Sequence, residues 1–485
     1  MALATLNMIR VDRRQRAPLQ AQLCRQIREL IISRQLEAGV RIPSTRDLAD
    51  QLDVSRNTVV YALDQLVSEG YLNTRVGSGI FVTDLQREKV SAARISRADQ
   101  PRKPPATSTL TVRLLTTRTT PQYASGKVRP FRPCQPAIEH FPIRNWNRAR
   151  SYALRSQSRD LFGEGDPSGL PRLRRALSIY LRDARGVRCT PDQIVITNGT
   201  QQGLFMIGSA LINDGDRVWI EDPGYLGARA AMIAAGADIV PVPIDNEGLT
   251  LKRVGEKLPR LVYCTPSRQF PLGTTMSLAR RFALLEFARQ NDIWIVEDDY
   301  DSEFRYTDRP LPSLQGLTDD QCVIYAGSFS KVLFPSLRIG YLVLPESLVS
   351  FFRRSKEVFD AGSSAVDQAT AAVFIEEGFF ATHVRRMRKL YHERLDIFLE
   401  EAKKRTAGWL TFPVIDAGMD ATGMLKPGSD DGFISRQLSA VGIDVPALSD
   451  YSLGSNQPGL VFGFTAFSSS QIQSGMASVA GAMGL

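Results

Sequence analysis

The chain has 485 residues, 43% hydrophobic and 23% charged, and its 60 Lys+Arg against 51 Asp+Glu give a formal net charge of +9. Those fractions exclude a wholly disordered or collagen-like chain, and no apolar run approaches the ~18 residues of a membrane-spanning helix. The five cysteines stand singly and the three histidines (His140, His383, His392) keep no metal-ligand spacing, which argues against a disulfide framework, a zinc site and histidine chemistry alike. The opening residues hold no apolar export segment, so the expected location is the cytoplasm.

In chain order, residues 18–33 place Leu19, Leu23, Ile27, Leu30 and Ile31 at helical spacing after a proline. Ser44 opens a second short helix, Asp53-Val54-Ser55 reads as a tight turn, and Ser55 is a good N-cap for a helix from Arg56 to Ser68. Val59, Ala62, Leu63 and Leu66 supply that helix's buried face. Two short strands hinged at Gly77-Ser78-Gly79 follow. Helix, helix-turn-helix and hairpin in this order predict a winged helix-turn-helix over 13–84. Ser55, Arg56, Asn57 and Thr58 are the residues the third helix would present to a major groove, and Arg75 lies beside the wing glycines to reach a phosphate or a minor groove. The run RIPSTRDLADQLDVSRNTVVYALDQLVSEGYLNTRVGSGIFV resembles the DNA-binding domain of the GntR family. That resemblance implies contacts to double-stranded operator DNA at Arg46, Arg56, Asn57 and Gly77.

Residues 85–132 hold 11 basic and 2 acidic side chains and are rich in Pro, Ser and Thr. This block is expected to be an extended linker, either lying near a polyanion or simply kept extended by its charge.

From residue 133 to the end, short apolar segments alternate with amphipathic helices: 193–197, 217–222, 261–266, 293–299, 323–328 and 339–345 are the expected strands of a mostly parallel sheet. Ligands of such sheets sit beyond the strands' carboxyl ends, where the chemistry-bearing residues lie. Lys331 follows one strand and can form a Schiff base with an aldehyde; Ser328 and Arg338 flank it with a hydroxyl and a positive charge suited to a phosphate. Gly199, Thr200 and Gln201 open a helix whose backbone N–H groups suit the same anion. Glu297-Asp298-Asp299-Tyr300 end another strand, with a carboxylate for a pyridine nitrogen and a phenol for a ring oxygen, and Tyr225 offers a flat face for stacking.

Together these residues resemble the fold type I aminotransferases, which bind pyridoxal 5'-phosphate (PLP). The phrases FGEGDPSGLPRLRRAL, EDPGYLGARAAM, TPSRQFPLG, VEDDYDSEF and SFSKVLFPSLRIGYLV resemble, more closely, the MocR/GabR regulators, in which a GntR-type winged helix is fused to such a domain. The resemblance implies a PLP-dependent transferase fold over 133–485, with a mostly parallel sheet flanked by helices and a small α+β subdomain largely over 355–485. It implies Lys331 as the Schiff-base lysine, Asp298 at the pyridine nitrogen (with Asp299 as the alternative), Tyr300 at the phenolate oxygen and Tyr225 stacked on the ring. Ser328, Arg338 and Gly199 to Gln201 are implied at the phosphate. It implies, further, a head-to-tail homodimer and a small-molecule effector, PLP itself or an amine.

Departures from the family pattern bear on function. The C-terminal stretch PGLVFGFTAF has no substrate-carboxylate arginine, and no Lys or Arg follows Arg436. Gly227 stands where the GabR-type regulator has a second such arginine, and Arg268 replaces the motif's usual histidine; it is either a new anion contact or a solvated loop residue. The expectation is a regulator in which PLP, or a PLP-amine aldimine, modulates operator binding. The alternatives are an active aminotransferase with an accessory DNA-binding head, capable of a half-reaction at most, and a DNA-binding protein with an empty transferase domain.

Overall fold

The computed structural model describes residues 6, 9–13, 15, 17–75, 77–84, 106–123, 127–156, 161–251, 257–307, 312–454 and 457–484. They divide into two compact units, Met1–Ala106 and Thr107–Leu485.

In the first unit, α1 (Leu19–Ile32) buries Leu23, Ile27 and Ile31 but also the polar Gln22, whose side-chain amide donates to the carbonyls of Asp12 and Ala17. That contact ties down the preceding residues, and Leu6 and Ile9 enter the same core, so this core begins upstream of residue 13. Ser44 and Ser55 cap α2 (Thr45–Leu52) and α3 (Arg56–Ser68), accepting from the amides of Asp47 and Thr58. Between them Asp53 takes a left-handed turn, φ 49°. All four apolar positions expected on α3 are buried. The wing is an antiparallel pair, β1 (Leu72–Arg75) and β2 (Gly79–Val82), with Leu72 opposite Val82. Gly77 at φ 74° belongs to the turn that joins them.

The second unit starts earlier than the change of sequence pattern suggests. Of the expected linker, 85–105 lies outside the described residues. Within the remainder α4 (Thr109–Leu115) is capped by Ser108, and its Arg113 pairs with Asp214. Phe131 is fully buried against Phe398 and Phe462, with ring centroids 5.8 and 5.7 Å away. Its carbonyl accepts from the Gly463 amide at 2.8 Å. Local charge and proline content masked a segment that the buried Phe131 side chain anchors.

After α5 (Ile143–Ser156) and α6 (Pro171–Arg185), the chain alternates β3 (Ile194–Thr197), α7 (Thr200–Leu211), β4 (Arg217–Asp222) and α8 (Leu226–Ala235). There follow β5 (Asp238–Asp245), β6 (Gly248–Leu249), β7 (Leu261–Cys264), α9 (Leu278–Gln290), β8 (Trp294–Asp299), β9 (Val323–Ser328) and β10 (Gly340–Val343). The sheet order is β3-β10-β9-β8-β7-β4-β5-β6. Because β10 is antiparallel to both β3 and β9, and β9, β8, β7, β4 and β5 pair in parallel, those six strands end at one edge. β5, with Pro241 and Pro243, lies toward the margin of the sheet, where missing N–H donors are tolerated.

Helices α10 (Glu346–Asp360), α11 (Ala365–Glu376) and the long α12 (Phe379–Thr406) lead to the C-terminal layer. There β11 (Asp420–Met424) pairs with β12 (Gly459–Gly463), flanked by α13 (Asp431–Ala440) and α14 (Ser469–Ala482). No helix among the described residues is long and apolar enough to cross a membrane, and no described cluster of His, Cys, Asp or Glu could hold a metal ion.

Phe131→Ala is expected to destabilise the second unit by about 3–5 kcal/mol, measured by denaturant unfolding of the full chain. A loss below about 1 kcal/mol would show that the segment before residue 133 is an appendage.

Candidate functional site

In the first unit the caps that start α3 also aim its first turn outward. Arg56 and Asn57 are exposed and Thr58 is half-buried. The Ser55 and Thr58 hydroxyls lie 2.8 Å apart, so this pair serves the cap, while Arg56 Nε donates to Thr45 Oγ1 at 3.4 Å. Arg46 is exposed on α2. Arg75 lies across the wing, its guanidinium 4.6 Å from the Phe81 ring centre. The chain pattern did not single out Arg41, yet its side chain underlies the wing: a Cβ on Gly79 would come within 3.0 Å of Arg41 Nε.

In the second unit the expected residues converge on the common strand edge. Gly199, at φ 87°, ends the turn after β3 and caps α7. Arg338, just before β10, adopts a left-handed φ of 53° and donates to the Asn198 carbonyl at 2.9 Å. Its guanidinium thus lies against Gly199, 3.4 Å from where a Cβ would be. A strained non-glycine residue beside an open helix N-terminus places a fixed positive charge where backbone N–H groups already point. Ser328 Oγ ends β9 nearby and accepts from the Ser330 amide at 3.1 Å. Behind the turn, Asp360 accepts from both Asn198 and Gln202 at 2.7 Å.

Strand alternation separates the two adjacent acids of β8. Asp299 accepts from Arg185 Nε at 2.7 Å and from the Tyr325 hydroxyl at 2.6 Å. Asp298, only 3% exposed, accepts from the Tyr263 hydroxyl at 2.7 Å through one oxygen, while its other oxygen is buried without a partner. Burial pushes the Asp298 carboxyl up to about 7, against the pull of the Tyr263 hydrogen bond. A half-satisfied buried carboxylate lacks a donor, and a protonated pyridine nitrogen would supply one.

Lys331 is half-buried and its Nζ donates to the Cys134 carbonyl at 3.1 Å. Cys134, 197 residues away in sequence, is itself held by Asp420, which accepts from its amide at 2.6 Å and its thiol at 3.3 Å. Nothing in the local pattern marks Cys134 or Asp420, because only tertiary structure brings them to the lysine. Tyr225 caps α8 and packs edge-on against Phe270, as do Tyr300 and Tyr451.

Arg268 is neither an open anion contact nor a solvated loop residue. It is 3% exposed, and its Nε donates to the Ala417 carbonyl at 3.0 Å and its Nη2 to the Asp420 carbonyl at 2.5 Å. Nη1 donates to the Tyr300 hydroxyl at 2.8 Å and to Asp301 at 3.3 Å.

The positions that depart from the family pattern are filled. A Cβ on Gly227 would lie 2.4 Å from the Tyr225 ring and 2.5 Å from Gln201 Oε1, so no side chain fits there with those neighbours in place. The stretch around β12 contributes Val461 to an apolar cluster with Leu226, Phe270, Leu448 and Tyr451. The buried Arg394 reaches the Thr465 carbonyl and pairs with Glu139 at 3.1 Å. Lys331, the Asp298 oxygen, the α7 N-terminus with Arg338, and the aromatic group fit PLP: an amine for its aldehyde, an acceptor for its ring nitrogen and donors for its phosphate.

The comparisons with known proteins agree with both halves. Residues 135–424 match the family of aminotransferase class I and II, and residues 19–82 match bacterial regulatory proteins of the gntR family. The chain is 39% identical to the probable rhizopine catabolism regulatory protein MocR of Rhizobium meliloti, over 97% of this chain and 95% of that one. It is 31% identical to the pyridoxine biosynthesis transcriptional regulator PdxR of Corynebacterium glutamicum, over 91% of each. Among solved structures, an archaeal alanine:glyoxylate aminotransferase is similar with TM-score 0.69 and 28% identity, covering 74% of this chain and 91% of that one. A Pyrococcus horikoshii kynurenine aminotransferase has TM-score 0.69 and 26% identity, covering 83% and 98%.

The unpaired oxygen of Asp298 has a measurable cost. A carboxyl raised from an ordinary ~3.9 toward about 7 holds its proton more tightly in the folded state, so its contribution to stability declines as pH rises through that window. Asp298→Asn is therefore expected to raise the melting temperature of the cofactor-free protein at pH 8 relative to wild type, and to change it little at pH 4. Equal effects at both pH values would show that the carboxylate is satisfied.

Proposed function

The chain belongs to the aminotransferase class I and II family and, carrying a GntR-family head, to the MocR-type transcriptional regulators; from that premise we propose that PLP, alone or joined to an amine, modulates how tightly its winged helix binds operator DNA. The observation that carries this reading is the presence of Lys331 and the unpartnered Asp298 oxygen at one strand edge. When bound, PLP supplies an electron-poor ring that a carboxylate at its nitrogen keeps protonated. In this reading Lys331 holds the aldehyde carbon, Asp298 receives the ring N–H, Tyr300 donates to the phenolate oxygen and Tyr225 covers the ring. The α7 N-terminus, Ser328 and Arg338 take the phosphate.

Sensing is favoured over turnover because the arginines that fix a substrate carboxylate have no counterpart. Gly227 is closed, Arg268 is spent on four acceptors, and Val461 lies in apolar surroundings. Transamination requires the substrate's Cα–H bond to be held in one orientation, and a carboxylate left unclamped is free to rotate. The effector is accordingly PLP itself or an amine without a conventional carboxylate clamp; the relative named for regulating pyridoxine biosynthesis supports the first. The regulator acts as a head-to-tail homodimer in the cytoplasm.

Operator binding measured at fixed salt, with and without PLP and candidate amines, tests the proposal. PLP should colour the wild-type protein and change its DNA affinity, and Lys331→Ala should abolish both effects. A protein that binds DNA identically in every condition would leave only the operator-binding head. Repeated turnover of an amino donor to a keto acid would establish the aminotransferase instead. Independently, Arg56→Ala should weaken operator binding by about 1–3 kcal/mol, on the order of 10- to 100-fold, without altering the PLP spectrum.

A further inference from the structure

Arg268 has more hydrogen bonds than a structural tie requires, and one of them leads to the cofactor pocket. Its guanidinium spans β11 and the end of β8, donating to the carbonyls of Ala417 and Asp420 and to the Asp301 carboxylate. These contacts join two parts of the second unit. The remaining bond, Nη1 to the Tyr300 hydroxyl at 2.8 Å, adds nothing to that join. It fixes the direction in which Tyr300 must donate its own proton, because the hydroxyl oxygen's acceptor side is already taken. The fold makes room for the arrangement: a Cβ on Gly418 would fall 2.0 Å from Arg268 Nε, and one on Gly273 would lie 3.5 Å from Nη2.

We propose that Arg268 is a positioning residue that acts through Tyr300 to lower the proton affinity of the imine nitrogen that Lys331 forms with PLP. This rests on the PLP reading above. A cation donating to a phenol strengthens that phenol as a donor. Tyr300 in turn stabilises negative charge on the ring's phenolate oxygen, which then holds the neighbouring imine proton less tightly.

Several ionisable groups face the same site. Asp301 at the end of β8 and Asp420 on β11 oppose the guanidinium's charge, as the thiol of Cys134 would if ionised, and burial keeps that thiol protonated. Asp298 and Arg338 act on the Tyr225 phenol with opposite sign, Asp298 disfavouring its ionised form and Arg338 favouring it. Burial holds the Tyr300 phenol itself well above its usual range despite Arg268, so it remains a neutral donor. Of the charged partners, Nη1 of Arg268 is the one hydrogen-bonded to the Tyr300 hydroxyl.

The test is a spectrophotometric pH titration of the PLP-loaded full-length protein, reading the midpoint between the two visible absorption bands. Arg268→Gln should raise the midpoint by about one pH unit. Arg268→Lys, which keeps the charge and a donor for Tyr300 but cannot reach all four acceptors, should stay near wild type even where it melts earlier. Tyr300→Phe, which leaves the arginine's other bonds in place, should raise the midpoint by itself and leave little further effect of Arg268→Gln. A midpoint unchanged in Arg268→Gln, or shifted equally in the Tyr300→Phe background, overturns the proposal while leaving the PLP reading intact. A wild-type protein that stays colourless with PLP overturns both. Should Arg268→Gln fail to fold, an unshifted Tyr300→Phe midpoint, or an Arg268→Lys midpoint displaced as far as that of Tyr300→Phe, overturns it equally.

Discussion

The second unit is organised around one incomplete interaction, the carboxylate of Asp298 with a hydrogen-bonded oxygen on one side and a bare one on the other. A buried polar atom without a partner is an expense that folding alone does not recover. The neighbouring acid is held differently in the same setting. Asp299, one residue on and facing the opposite side of the strand, accepts from the Arg185 guanidinium and the Tyr325 hydroxyl through one oxygen, its other oxygen being buried without a partner as well. Of the two acids, Asp299 thus has a hydrogen-bonded protein cation and Asp298 has none.

Around that gap the fold distributes functions among elements that are remote in sequence. The strand edge gathers Lys331, Ser328, Tyr300 and Tyr225 because six strands end on the same side. Strand β10, reversed relative to those six, enters that edge by its beginning, which is why Arg338 precedes its strand while the other residues follow theirs. The first unit assembles separately, around its own core. Residues 1–84 carry 11 basic side chains against 9 acidic ones, so recognition there depends on which side chains the Ser55 cap exposes more than on bulk charge.

Much of this was legible along the chain. The caps at Ser44 and Ser55, the buried face of α3 and the strands at 217–222 and 323–328 follow from local chemistry, and local chemistry is what periodicity reports. The two adjacent acids left the pyridine contact open, since only pairing with Arg185 distinguishes them. Phe131 and α4 were obscured by surrounding charge and proline, and β5 by its own prolines. Cys134, Asp420 and the burial of Arg268 were beyond reach, because each depends on contacts between segments more than a hundred residues apart.

The lock between Arg268 and Gly418 also orders the changes this lineage can make. A side chain at 418 must collide with the guanidinium and adopt a φ of 90° that only glycine tolerates well, whereas a smaller residue at 268 avoids that collision and leaves Asp301 and two carbonyls without their donor. Divergence can therefore proceed through position 268 first and not through 418. A bulkier residue at 418 is a dead end from this starting sequence.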